Sequence, residues 1–522
     1  MSVRRPLLRT LLTLGVAPAL LLGPLGYSAH AVTEDNIIDL QRGRVKGVDW
    51  SQDESVITVK DTDGDGVAFV VVRGMAEDGT RIVVADNTKA IIELDGVNLN
   101  LGLSRLLGPY GGINIGEGSE LTLQLAEGSF NSLIGARSNG PSGGAGVYVP
   151  ATAELTIEGL GDGSGQLSAT GYVAMAGIGS GRGQTSGTIN IKSGHVTALG
   201  GDSASGIGSG FQGKQGPINI SGGVVTATAG KGSGDKWGGA GIGSGSGGNS
   251  GPIVITGGTV RGEGAYGGAG IGAGHAAKQA SAGVNIYISG GDVTGIGSGA
   301  GAGIGTSDML GGTTKNPHQI VASGLHTSIT AQGGSKEGAN AIGLGDKDSS
   351  SIQTFIAVGG GLNLDGKEVK PNLTLKVGEG HSSGAVILEV PKNFTSVKNN
   401  KLRLANGLAP EVQLAVQTTL TTQPLKLTAK GFEANPESMP ANALDGNVTI
   451  LFEPSFVEPV ELPDTDAAPA RTFLAGMSDS MLLYVGMCLG LCLTVALVGA
   501  IASTRRAKYH QSMAERSDRA SW

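Results

Sequence analysis

Cysteine is all but missing from this 522-residue chain. The only two, Cys488 and Cys492, stand in one apolar segment near the C-terminus, so the rest of the chain has no disulfide framework, thiolate nucleophile or cysteine metal site. Aromatic residues make up 4% of the chain. Rings are therefore scarce, and any aromatic residue at a regular position stands out. Apolar residues at helical spacing are absent from the central two hundred residues, which excludes a bundle and the helical repeat classes. Basic charge is also short. The formal net charge is −7, and setting aside residues 1–31 and those after Ile501 leaves 29 Lys and Arg against 42 Asp and Glu, or −13. Such a chain is a poor candidate for nucleic acid.

What the chain has is glycine, 93 residues of it, arranged in a phrase. Ala-Gly-Ile-Gly-Ser-Gly occurs at 176–181 and 240–245, with variants at 205–210, 269–274 and 302–306. Before each comes a short alternating run such as Thr188-Ile189-Asn190-Ile191 or Pro252-Ile253-Val254-Ile255. Aligning the last apolar residue of each run gives Leu94, Leu123, Ile157, Ile191, Ile220, Ile255, Ile288 and Ile320, a period of 29 to 35 residues. Units of that length cannot bury an apolar face alone and must stack. Period-two alternation between glycines makes each unit two or three short strands. The expectation is all-β, a parallel β-helix with one repeat per coil, glycines at the corners, and Ile178, Ile207, Ile242, Ile271 and Ile304 forming an inward ladder.

The flanks complete the organisation. Residues 1–31 carry Arg4, Arg5 and Arg9, an apolar run, and Ala29-His30-Ala31, the form of a cleaved export signal. Residues 32–88 are expected to be an N-terminal β cap, 89–350 the β-helix, 351–452 a membrane-proximal β domain and 453–480 a stalk containing four prolines. Residues 481–501 have no charge and would span about 31 Å as a helix, enough to cross a bilayer. Arg505, Arg506 and Lys508 follow, so the tail 502–522 is expected in the cytoplasm and the solenoid outside, in type I orientation.

Ile91-Ile92-Glu93-Leu94-Asp95-Gly96-Val97, Leu121-Thr122-Leu123-Gln124-Leu125 and Leu155-Thr156-Ile157-Glu158-Gly159, followed by the Gly-Ile-Gly phrases, resemble bacterial cell-surface β-helix proteins of the carbohydrate-binding-domain-containing type. The resemblance covers about residues 85–345 and implies binding of extracellular or cell-wall polysaccharide, or adhesion to a host surface. Leu462-Pro463-Asp464-Thr465-Asp466 resembles the sortase signal of Gram-positive wall proteins, with Leu462, Pro463 and Thr465 in place and Asp466 where that signal has glycine. A retained membrane anchor is therefore expected rather than wall attachment.

Candidate sites are few. Trp237 and Tyr266 each stand five residues before a ladder isoleucine and Tyr172 six before another, so a row of rings at one corner is expected, on which sugars could stack. An internal aromatic stack is the competing reading. Asp61, Asp63 and Asp65, alternating before Gly66, read as an acidic hairpin turn or as the opening of a calcium loop whose twelfth position is Val72 instead of Glu. No other cofactor is implied. The charges Asp162, Asp202, Asp235, Asp292, Arg182, Arg261 and Lys192 look scattered, and His195 and His275 have no partner at metal-ligand spacing. The expectation is accordingly a binding module and not an enzyme, with a structural stalk and a carbohydrate-active enzyme as the rival classes.

Overall fold

The computed structural model describes residues 32–455 except 43–45, 77–78, 103–110, 138–142, 233–236, 277–282, 309–317, 347, 349–350, 378–384, 390–400, 406–410, 420–423 and 441–446. Among the described residues the only helix is a single turn at Glu34–Asn36, and everything else regular is strand. Long runs of parallel pairing make the molecule all-β and β-helix-like.

Each coil has three strands, as in Thr188–Ile191, His195–Leu199 and Ile207–Gly208. Alternation decides which side chains go in: Ile189 and Ile191 are fully buried, while Thr188 and Asn190 face outward. Every first strand pairs in parallel with the first strand of the next coil, so Leu155, Ile189, Ile218, Ile253, Ile286 and Ile320 form one column. Second strands stack Leu167, Val196, Val225, Val260, Val293 and Ile329 in the same way. Third strands stack Val147, Ile178, Ile207, Ile242, Ile271, Ile304 and Ile342, the inward ladder expected from the phrase. Each fully buried isoleucine contributes roughly 1.5–3 kcal/mol relative to exposure.

The letters around the ladder have separate physical reasons. The glycine after the isoleucine must be glycine, as at Gly243, where φ is 141° and a Cβ would overlap the carbonyl oxygen of Gly272 on the next coil. The serine that follows is a buried connector. Ser209 Oγ accepts the Gly245 N–H at 3.1 Å and donates to the Gly213 carbonyl at 3.3 Å. Ser244 Oγ accepts the Gly274 N–H at 3.0 Å. These hydroxyls satisfy backbone donors that the corner would otherwise bury unpaired.

The ends differ from the sequence reading. The parallel register begins inside the stretch expected as a cap: Ile37–Asp39 pairs with Ala68–Ala76, which pairs with Lys89–Asn100. Val56–Val59 pairs in parallel with Arg81–Val84. What covers this end is the antiparallel set Lys46–Gly47, Trp50–Asp53 and Val56–Val59, with Trp50 buried and its Nε1–H donating to the Asp35 carbonyl at 3.0 Å. The partner of Leu123 is Ile92 and not Leu94, and the partner of Ile288 is Ala322 and not Ile320. Both slips are by two residues, which leaves a side chain on the same face and so is invisible to an apolar pattern.

At the other end, Ile352–Val358 and Gly361–Leu364 continue the parallel coils before the β domain starts. The outward column of the first strands explains where that domain settles. It reads Thr122, Thr156, Asn190 and Asn219, then turns apolar as Val254, Tyr287, Val321 and Phe355. In the polar part Asn219 Nδ2 donates to Asn190 Oδ1 at 2.8 Å, and Asn190 Nδ2 donates to Glu154 Oε1 at 2.7 Å. In the apolar part Val321 and Phe355 enter a second core with Leu375, Leu388, Leu414, Leu427 and Phe452, and Tyr287 packs against it. Glu411–Thr418 anchors the domain by pairing antiparallel with both Ile352–Val358 and Leu373–Val377.

Candidate functional site: one edge of the solenoid

Four residues after each ladder isoleucine the chain turns an outer corner. Because the isoleucines are in register, Arg182, Phe211, Ser246, His275 and Asp308 stand one above another on five successive coils. The backbone confirms the alignment: the N–H groups of Gly183, Gln212 and Gly247 donate to the carbonyls of Phe211, Ser246 and His275, each at 2.8 Å. This column was not legible as a repeat, since its five residues are all of different types.

Trp237 reaches the same edge from the segment preceding the next coil. Its ring stacks on Phe211 with centroids 5.6 Å apart and planes 19° from parallel. The Arg182 guanidinium carbon lies 5.4 Å from the Phe211 ring centroid, so arginine, phenylalanine and tryptophan form one short pile. Trp237 is 49% exposed. Its carbonyl is held by the Gly232 N–H at 2.9 Å and the Ser203 hydroxyl at 3.2 Å, so the indole hangs from a fixed backbone. Tyr266 is half-buried and has the Lys231 ammonium 6.0 Å from its ring centroid. Tyr172 is also half-buried, in the column of Gly143 and Gly201, where a Cβ at either glycine would press on it. The sequence marked Trp237, Tyr266 and Tyr172 by counting back from the isoleucine. It missed Phe211 because that ring lies on the other side of the same isoleucine.

Further along the column His275 Nε2 lies 3.2 Å from Asp308 Oδ2. His275 therefore has a partner, 33 residues on, and the shared phase after Ile271 and Ile304 is the signal that metal spacing overlooked. Among the described residues His275 Nδ1 and Asp308 Oδ1 are both buried and have no hydrogen-bond partner. The Ser246 hydroxyl donates to the His275 carbonyl at 3.1 Å and so is not aimed at the imidazole.

The acidic loop lies elsewhere, at the N-terminal end. Carboxylate oxygens of Asp49, Asp61 and Asp63 come within 4.8 Å of one another, with Asp49 in the place expected for Asp65. Their hydrogen bonds are those of a turn. Asp61 accepts the N–H groups of Gly64 and Gly66 at 2.7 and 3.0 Å, Asp63 accepts that of Asp65 at 3.1 Å, and Asp49 accepts those of Thr62 and Phe69, both at 3.0 Å. Such bonding stabilises a tight acidic corner without an ion. Asp49 was not legible because it stands twelve residues before Asp61 and arrives by antiparallel pairing of Trp50–Asp53 with Val56–Val59.

A buried polar group sits in the last coils. His318 Nδ1 accepts the Val284 N–H at 2.8 Å, which places the ring proton on Nε2, 3.9 Å from Asp348 Oδ2. The Thr306 hydroxyl donates to that same oxygen at 2.6 Å. Burial holds the His318 pKa below the usual histidine range, and the Asp348 charge opposes the shift without reversing it. The fold thus prefers neutral His318. Its contribution is present above the unfolded pKa of about 6.5 and is lost as pH falls below it toward the folded value. Thermal unfolding should show a flat midpoint above pH about 7 and a decline on acidification from about 6.5, and His318→Gln should remove the decline in that window. An identical slope in the variant would assign it to other groups.

Comparison with known proteins brings no match to a family model, a curated protein or a solved structure. Among the described residues no helix is long and apolar enough to cross a membrane. The expected leader 1–31, the sorting-like Leu462, Pro463 and Thr465, and the expected span 481–501 lie outside the described residues.

Proposed function

We propose that the chain is an exported, membrane-anchored surface protein whose parallel β-helix, capped by β structure at both ends, presents a carbohydrate-binding edge. The observation that carries the reading is the exposed Trp237 stacked on Phe211. A half-exposed indole on a rigid corner costs solvation unless something covers it, and in a chain with so few aromatic residues two rings meeting across coils is not a chance of composition. Sugar rings have an apolar face and a polar rim, and an aromatic surface beside hydroxyl, amide and cationic groups matches both. The export signal and the apolar segment 481–501 support an extracellular position, with the basic tail inside.

A structural stalk has the regular coils in its favour, since they supply length with or without a ligand. The edge argues for more than that, because a spacer has no need of exposed aromatic residues. The two readings separate on one experiment. Full-length protein immobilised and probed with a panel of neutral and acidic polysaccharides should retain at least one class, and Trp237→Ala should weaken retention by about tenfold or more with the unfolding midpoint nearly unchanged. Silence across the panel would favour the stalk. Loss of stability in Trp237→Ala with retention intact would make the stack a packing device.

A further inference from the structure

Three cations of this acidic protein stand around the aromatic stack. Arg182 lies over one face of Phe211, Lys231 over Tyr266, and Lys214, exposed three residues beyond Phe211, is bridged in parallel to Thr185 and Asn249 on the coils either side. On the described part of the same edge the opposing charges include Asp202, which adjoins Ser203, and Asp308 and Asp346, which are three and four coils from Phe211, Asp308 being committed to His275. Resting on the proposed glycan reading, we infer that the ligand is an acidic polysaccharide, with its carboxylates facing Arg182, Lys214 and Lys231 and a sugar ring on Trp237.

The cation–π contact with Phe211 supports this assignment. A guanidinium held over a ring has fewer orientations open to it than one free in solvent, and arginine is well suited to a carboxylate. The loss of side-chain entropy on binding is correspondingly smaller. Arg182 and Trp237 lie on opposite sides of Phe211, two coil steps apart, or about 10 Å at the usual strand spacing. One pyranose ring cannot reach from the cation to the indole, so the ligand is a chain and not a single sugar. The net negative charge of the whole protein would repel an acidic polymer at a distance. Its capture therefore depends on these local cations and is sensitive to salt.

The test uses the full-length protein, a hexuronic acid homopolymer, and the same polymer with its carboxyl groups methyl-esterified. Affinity for the acid should exceed that for the ester by about tenfold at low ionic strength and approach equality at about 0.5 M salt. Arg182→Gln together with Lys231→Gln should bring the ratio near one, whereas Trp237→Ala should lower both affinities and leave the ratio in place. Should the double variant fail to fold, the salt dependence of the wild-type ratio still decides. Equal affinity for acid and ester, or a ratio that salt does not move, overturns the inference. Retention of neutral glycans without preference for the acid would do so while leaving the glycan reading intact, and no retention of any polymer would overturn both.

Discussion

Gly243→Ala should cost about 3–5 kcal/mol of stability, more than removal of most buried methyl groups, although it adds only one carbon. Two effects act together at this position. A φ of 141° is a region that side-chain-bearing residues rarely enter, and the new Cβ would collide with the Gly272 carbonyl. That carbonyl accepts the Ser244 N–H at 3.1 Å, so it cannot swing away without breaking the rung between two coils. Gly183 provides the control. It has φ 69° with open space where a Cβ would be, and Gly183→Asn should cost less than about 1 kcal/mol, since asparagine tolerates that conformation. Chemical denaturation of both variants checks the pair. Similar small losses would mean that the coils are looser than the register implies.

Deleting residues 221–255 should leave a cooperatively folding protein, while deleting 221–238 should abolish folding. The first deletion removes one whole coil and joins Ile220 to Thr256. Since Ile255 is the register partner of Ile220, every column then closes on an equivalent neighbour. The second keeps the third-strand isoleucine Ile242 but removes Val224–Thr228, so two sheets lose their phase relative to the third. Stability in a stacked array is roughly a sum over neighbours, which whole-unit deletion preserves and partial deletion does not. Circular dichroism with thermal melts reads both outcomes. Equal damage from the two deletions would contradict the solenoid.

The coil was legible in the sequence because burial repeats a residue type: a column that must be apolar and branched shows the same letter at every turn. The glycines beside Ile178, Ile207 and Ile242 repeat for the same reason, each facing the next coil's backbone, and the hydroxyls of Ser209, Ser244 and Thr306 each accept a backbone N–H of the following coil. Legibility failed where the constraint relaxed. At the ends, Ile92 and Leu94 are both inward and buried, so the pattern could not choose between them. On the edge, Arg182, Phe211, Ser246, His275 and Asp308 share a position without sharing chemistry, and only the register of the neighbouring isoleucines brings them together. Phe211 and Trp237 are 26 residues apart in sequence and meet because coil stacking converts that distance into one step. The C-terminal domain was legible as β structure, whereas its seat on Val321 and Phe355 follows from an outward column that changes from polar to apolar along the solenoid.

The central claim, that the exposed edge is where ligand lands, is tested most directly by quencher access to Trp237. Of the described tryptophans Trp50 is buried and Trp237 exposed, so neutral quencher should act on Trp237 in the free protein. Adding a polysaccharide that the full-length protein retains should shift the emission to the blue and protect it from quenching, and both responses should vanish in Trp237→Phe. Retention of the polymer with Trp237 as accessible as before would place the binding site elsewhere and contradict the account.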